Sequence, residues 1–282
     1  NNKYSGSQGL HQVYLGVGAE PLRNLSVGVN ASYLWGGYTK YVTNTYSDAY
    51  VNTLQRTYTA EVRSYKLDFG LQYTQPLSAK DQVTLGLTYS LGHSLNADPE
   101  LSVIKNNSQL AVADTTRFRI SNALDLPHTF GVGAVYSHNG QLMVGADYQL
   151  QKWGSLDYPQ YSDQGGYGLQ SGLLKDRHKV VLGADYCRGE RHRGFLSRLH
   201  YRAGIGYATP YFTINGQDGP KEISASLGLG IPIVNSYNNR SMLNISAQWV
   251  RREASSMLTE NTFRINIGFT FNERMFAKFK VE

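Results

Sequence analysis

The sequence predicts an all-β protein, a transmembrane antiparallel β-barrel, and three observations predict it. Short segments alternate apolar with polar or glycine residues, as in residues 82–91 (QVTLGLTYSL) and 263–271 (FRINIGFTF). A strand sends successive side chains to opposite faces, so each segment carries one oily face and one wet one. Tyrosine and tryptophan collect at the segment ends, where barrels carry girdles of aromatic rings at the membrane interfaces. The connections alternate between short and long, the pattern of tight turns at one barrel end and larger loops at the other.

Composition agrees. Of 282 residues only 17% are charged, while 21 are tyrosine and 29 glycine. The mean hydropathy of -0.39 matches a barrel as well as a water-soluble protein, because only half of each strand is apolar and the loops are polar. Nowhere do about 18 apolar residues run together, which excludes membrane-spanning helices. The one cysteine, Cys187, excludes an intramolecular disulfide and a cysteine-based zinc site, and reads as a small residue facing the lumen. The net charge of +6 is scattered and suggests no nucleic-acid surface. Its one dense cluster, residues 188–193, reads as a solvated turn.

Eleven strands follow from the alternation. Their lipid-facing sets begin with Val13, Leu15, Val17 and then Leu25, Val27, Val29, Ala31, Tyr33, Trp35. Tyr65, Leu67, Phe69, Leu71, Tyr73 and Val83, Leu85, Leu87, Tyr89 come next. Phe130, Val132, Ala134, Tyr136 face Leu142, Val144, Ala146, Tyr148 across Asn139-Gly140, a two-residue hairpin signal. Val180, Leu182, Ala184, Tyr186 lead to Leu199, Tyr201, Ala203, Ile205, Tyr207 and to Ile223, Ala225, Leu227, Leu229, Ile231. Leu243, Ile245, Ala247, Trp249 and Phe263, Ile265, Ile267, Phe269, Phe271 complete the series.

The short links are residues 20–24, 77–82, 138–141, 189–194 and 235–240. The long ones are 36–63, 92–127, 154–177, 213–221 and 254–260. Short periplasmic turns and longer extracellular loops orient the barrel in a bacterial outer membrane. Tyr73, Tyr136, Tyr186 and Phe271 then form the periplasmic girdle, and Trp35, Tyr89, Tyr148 and Trp249 the outer one. The last strand runs downward, leaving 272–282 as a periplasmic C-terminal extension of a single barrel domain. An odd strand count is unusual in a single-chain bacterial barrel, so N-terminal strands are expected beyond this sequence.

Charges on alternate positions of oily strands belong inside, because a midplane Arg or Lys facing lipid costs roughly 2–4 kcal/mol. The lumen-lining set is Lys66, Asp68, Asp147, Lys179, Asp185, Arg202, Arg251 and Arg264, with His200, Asn244, Gln248 and Asn266 beside them. Mutual neutralisation across a narrow lumen is the plain account of these groups; binding of a solute or its headgroup is the other. Inward glycines such as Gly86, Gly131 and Gly133 leave room or permit curvature.

In the outer loops Tyr38, Tyr41, Tyr158, Tyr161 and Tyr167, with Tyr58 and Leu101 among others, suit capture of an amphiphile, contact with a protein, or packing of loop on loop. His93, Asp125, His128, Asp176 and His178 fall near the outer rim, but their spacing demands no catalytic arrangement. The chain reads as no enzyme, with no metal and no cofactor.

The opening SGSQGLHQVYLGVG (5–18), the segment NLSVGVNASYLWG (24–36) and the ending INIGFTFNERMFAKFKVE (265–282) resemble Bacteroidetes members of the outer-membrane transporter family of long-chain fatty acids and aromatic hydrocarbons, the FadL-like barrels. The resemblance implies a fourteen-stranded barrel with an N-terminal hatch, of which this chain holds neither the hatch nor the first three strands. It implies passive uptake of hydrophobic or amphipathic small molecules. The alternatives are a structural or accessory barrel in a larger outer-membrane assembly for secretion or protein insertion, and a general porin. The partners expected are outer-membrane lipid, a hydrophobic ligand or detergent, other outer-membrane proteins, and no nucleic acid.

Overall fold

In the computed structural model the described residues are 2–46, 52–107, 109, 112–162, 166–189, 192–214, 216–234, 240–255 and 258–270. Phe271 and the 272–282 extension lie outside them. One antiparallel sheet of fourteen strands dominates. The strands are β1 (Asn2–Ser7), β2 (Leu10–Leu22), β3 (Leu25–Asn44), β4 (Thr53–Pro76), β5 (Asp81–Ser90), β6 (Glu100–Asn107), β7 (Val112–Arg119), β8 (Thr129–His138), β9 (Leu142–Gln151), β10 (Arg177–Tyr186), β11 (His200–Ala208), β12 (Lys221–Val234), β13 (Arg240–Glu253) and β14 (Glu260–Thr270).

Eleven of them, β2–β5 and β8–β14, pair with their neighbours in chain order and form the wall, the eleven that the alternation predicts. The fold is an antiparallel β-barrel. The outer edges of β2 and β14 pair with no strand among the described residues.

The register keeps oil beside oil. Phe69 stands opposite Val29 and Tyr89, Leu87 opposite Leu71 and Val132, and Leu182 opposite Ala146 and Ile205. Such rows face outward, with Leu15 77%, Leu85 51%, Val144 46% and Ile267 73% exposed. An apolar surface of this extent is stable only against lipid, and a one-residue slip of any strand would turn its row inward. The turn at Asn139-Gly140 fixes one register directly. Both residues have positive φ, 53° and 62°, as a type I′ turn requires.

The link 36–63 departs from the expectation of a loop. β3 and β4 continue without a break in pairing from Gly36–Val62 to Asn44–Leu54, well beyond the outward row that ends at Trp35 and Tyr65. Tyr, Thr and Val dominate this stretch, and they favour strands whether or not lipid is present. β1 pairs with the top of β3, β6 with the top of β4, and β7 with β6, so a five-stranded sheet stands above the wall. The ladder against β3 is interrupted between β1 and β2 at Gln8-Gly9, where Gln8 has a φ of 74°, and resumes in the same register at Leu10, opposite Gly36. A Cβ on Gly36 would lie 2.3 Å from the Gly9 carbonyl oxygen, and its φ of 130° also calls for glycine.

A small apolar core of Val62, Leu95 and Ala97, flanked by Leu124 and Leu126, lies at the foot of the upstanding sheet. Leu101, Val103 and Ala60 are buried higher up.

Candidate functional site

The site consists of the lumen wall and the cap above it. The loop between β9 and β10 forms a hairpin, Tyr158–Ser162 paired with Gly166–Gln170, which packs on one face of the upstanding sheet. On that face register places Tyr38 and Lys40 of β3, Arg56 and Tyr58 of β4, Leu101 of β6 and Phe118 of β7. The hairpin answers with Tyr167, 6.3 Å from the Tyr58 ring, and Tyr161, 6.2 Å from Phe118 and beneath the Arg56 guanidinium at 4.9 Å. The Tyr38 hydroxyl donates to Tyr158. Beyond it Tyr211 stacks on Trp153 at 5.5 Å, carrying the aromatic run onto the next loop.

Burial sets the electrostatics of this cap. Desolvation pushes the hydroxyls of Tyr38, Tyr58, Tyr158 and Tyr167 above the ordinary tyrosine range, because burial strips a phenolate of its water. At Tyr58 the Arg56 charge pulls the other way and is the smaller effect. The cap is thus an amphipathic surface of rings and uncharged hydroxyls, joined by the Lys40 and Arg56 cations. It contains the expected Tyr38, Tyr158, Tyr161 and Tyr167. Tyr41 is a correction: it stands opposite Thr57, on the other face of the upstanding sheet. Phe118 and Arg56 were not anticipated, because their neighbours come from segments remote in the chain.

Below the cap the inward residues form two polar clusters. Toward the long-loop end Lys66 reaches Asp68 at 2.5 Å, Ser90 donates to the same carboxylate, and Gln12 donates to Ser32 at 2.8 Å. Toward the short-turn end Asp185 holds Arg202 Nε at 2.7 Å and His200 Nδ1 at 2.8 Å, while Arg202 Nη1 donates to Asn244 at 2.7 Å. Lys179 and Arg264 keep inward register beside Gln149 and Gln248 without an ion pair among the described residues. Asp147 lies flat across Gly133, where a Cβ would meet its Oδ1 at 2.2 Å. Thr88 in the same way covers Gly131, at 2.3 Å. Gly131 and Gly133 therefore give room to neighbouring polar side chains, whereas nothing lies within 4 Å of a Cβ placed on Gly86.

Arg251 is a second correction. It stands opposite Ile223 in the outward row, next above Trp249, and pairs with Glu253 at 3.2 Å. Beyond the hydrocarbon an outward charge meets water and no penalty applies. Trp35, Tyr73, Tyr89, Tyr136, Tyr148, Tyr186 and Trp249 stand at or near the ends of the outward rows. Cys187 is buried, its thiol directed at the Arg198 carbonyl at 3.5 Å.

At the rim the hydroxyls of Tyr89 and Tyr148 are hydrogen-bonded with His128 Nδ1 and His178 Nδ1. Asp125 accepts from Ser94 and Asp176 from Lys152. Among the described residues no hydrogen bond or ion pair joins a rim imidazole to a carboxylate and a nucleophile together. Among the described residues no three His, Cys, Asp or Glu side chains converge on a metal site.

A wall belted with oil outside, polar inside and capped by aromatic loops defines a membrane β-barrel protein. The chain belongs to the BamG family, whose model matches residues 1–282. That family bears a different name from the transporters the sequence resembles. The solved structures similar to it nevertheless include such channels. The CymD monoaromatic hydrocarbon channel shares 14% identity at a TM-score of 0.67, over 96% of this chain and 75% of that one. The toluene transporter TbuX of Ralstonia pickettii shares 14% at 0.65, over 95% and 69%. A FadL homologue of Pseudomonas aeruginosa shares 16% at 0.63, over 89% and 61%. At these identities the likeness shows a common fold. No curated protein matches the sequence.

Proposed function

We propose that the chain is a bacterial outer-membrane barrel for passive entry of hydrophobic or amphipathic small molecules, with its long loops outside the cell and its C-terminus periplasmic. The observation that carries this reading is the cap itself. Tyr38, Tyr58, Tyr158 and Tyr167 present rings and uncharged hydroxyls over a polar lumen, a surface suited to a ligand with an apolar body and a polar end. The fold shared with hydrocarbon channels supports it. The chemistry is capture and release; no residue here is assigned to catalysis. The test is binding of a labelled fatty acid or alkylbenzene to the purified barrel. Saturable binding that weakens several-fold in Tyr158→Ala, together with slower uptake by deletion cells, supports passage. No saturable binding rejects it.

A second reading is favoured by membership of the BamG family and by the polar side chains that lie over the lumen glycines: an accessory barrel within a larger outer-membrane assembly. Here the upstanding sheet is the contact surface and the lumen needs no opening. Extraction in mild detergent decides. A stoichiometric protein partner supports the assembly role, and a lone barrel with saturable ligand binding supports entry. A Bacteroidetes source, which the terminal segments suggest, belongs to the same proposal.

A further inference from the structure

The lipid-facing wall is not uniform. Between β4 and β9 it holds a groove of about 430 Å³, floored by backbone at Gly70 and Gly131, whose neighbours' side chains diverge to either side. Leu87 and Val132 line it toward the middle of the wall, and Phe69, Phe130 and Leu150 toward the long-loop end. Register is continuous beneath it, with Gly70 opposite Thr88 and Thr88 opposite Gly131. The groove is therefore a depression in an intact wall, not a passage through it.

Two tyrosine–histidine pairs flank its upper rim. The Tyr89 hydroxyl lies 2.8 Å from His128 Nδ1, and the Tyr148 hydroxyl 2.7 Å from His178 Nδ1. Tyr89 and Tyr148 themselves line the groove, and His178 stands opposite Leu150 in register. The Gly92 N–H also points at His128 Nδ1, at 3.2 Å. A backbone N–H can only donate, so Nδ1 of His128 is an acceptor and the ring proton sits on Nε2. That Nε2–H, on an exposed ring, remains available to an acceptor outside the protein. The same arrangement holds for His178 when Tyr148 donates to it. Lys152 stands beside them, its ammonium already neutralised by Asp176.

We infer that this groove binds one lipid of the leaflet on the long-loop side, its acyl chain along Leu87 and Val132 and its phosphate headgroup accepting from His128 Nε2–H and His178 Nε2–H. An apolar depression in the belt is filled by an acyl chain as a matter of course. The paired imidazole donors at headgroup height are what turn a boundary position into a selective one, since a phosphate offers acceptors where a plain hydroxyl headgroup offers few. The site lies on the outside of the wall and is independent of any passage through the lumen.

Native mass spectrometry of the detergent-purified barrel tests it, with phosphatidylglycerol or diacylglycerol added at equal concentration. One phosphatidylglycerol is expected to stay bound, and at least five-fold less diacylglycerol. Val132→Trp, which fills the groove, is expected to cut retained phosphatidylglycerol at least five-fold. Leu182→Trp, on the same belt outside the groove, is expected to leave it unchanged. The double variant His128→Ala/His178→Ala is expected to abolish the preference between the two lipids. Gel mobility of the unheated barrel reports that each variant is folded. Equal retention of both lipids by the unaltered protein overturns the inference, as does unchanged retention in Val132→Trp, or competition by inorganic phosphate alone.

Discussion

The Arg202 guanidinium and the Asp185 carboxylate meet at 2.7 Å, directly opposite each other on adjacent wall strands. Arg202 lies over Gly228 and Gly230, and its second arm holds Asn244, so one cation ties three strands together on the inner face. His200 completes the carboxylate's set of partners.

Asp185→Asn removes the counter-charge from a half-buried guanidinium. A hydrogen bond to a charged group is worth about 1.5–3 kcal/mol, and the 40% exposure of the Arg202 side chain brings the expectation to the lower end. The variant should unfold at lower urea concentration in detergent or vesicles. Arg202→Met added to Asp185→Asn should recover part of the loss, because the unpaired charge is gone. A double variant less stable than the sum of the single ones would contradict the pairing.

The belt predicts an asymmetry between neighbouring residues. Leu227 faces outward between Ala203 and Ala247, and is 70% exposed, while Ser226 faces inward beside Gly204. Leu227→Arg places a charge in hydrocarbon and should cost about 2–4 kcal/mol of folding stability in vesicles. Ser226→Arg should cost markedly less, since its side chain enters a polar lumen. Equal losses would mean that the two faces are not divided between lipid and lumen.

How far the sequence spoke follows from where lipid acts. Within the wall, hydrocarbon penalises every outward polar group, so the rows from Val13 to Phe269 could be read residue by residue, and Asn139-Gly140 set the phase of one hairpin. Above the wall that constraint ends. The tops of β3 and β4 keep pairing through Tyr38 and Tyr58 although no lipid dictates it, and the link 36–63 therefore looked like a loop. Arg251 deceived for the same reason. A polar residue after Trp249 signals an inward position only while lipid covers the outward one. The contact between Tyr38 and Tyr158 joins segments far apart in the chain, and no local pattern announces it.

At the foot of the upstanding sheet Asp98 is a pH-sensitive clasp. The Asn122 N–H donates to it at 2.9 Å and Arg119 at 2.7 Å, and the two hold its carboxyl below the usual value of 3.8. A lowered native value means that the contribution is fully present above 3.8 and is lost as pH falls through the lowered value. The protection factors of the amides in β6 and β7, corrected for the intrinsic exchange rate at each pH, should therefore fall on acidification below about pH 4 in the unaltered protein. In Asp98→Ala they should be low already at neutral pH. Acid sensitivity that persists in Asp98→Ala would place the clasp elsewhere.

The cap titrates at the opposite extreme. Desolvation raises Tyr38, Tyr58, Tyr158 and Tyr167, so these groups hold their protons more tightly in the folded protein than in the unfolded chain. Their contribution to stability is then whole below pH 10 and declines as pH rises toward the raised native values. Phenolate absorbance near 295 nm should therefore still be rising well above pH 10, as the cap hydroxyls ionise late. Tyr38→Phe removes the hydroxyl that donates to Tyr158 and one of the late-ionising groups. The late amplitude should shrink accordingly, while folding on the gel is kept because the ring still packs. A single ionisation step near pH 10 in the folded barrel would mean that solvent reaches all four hydroxyls and that the cap is open.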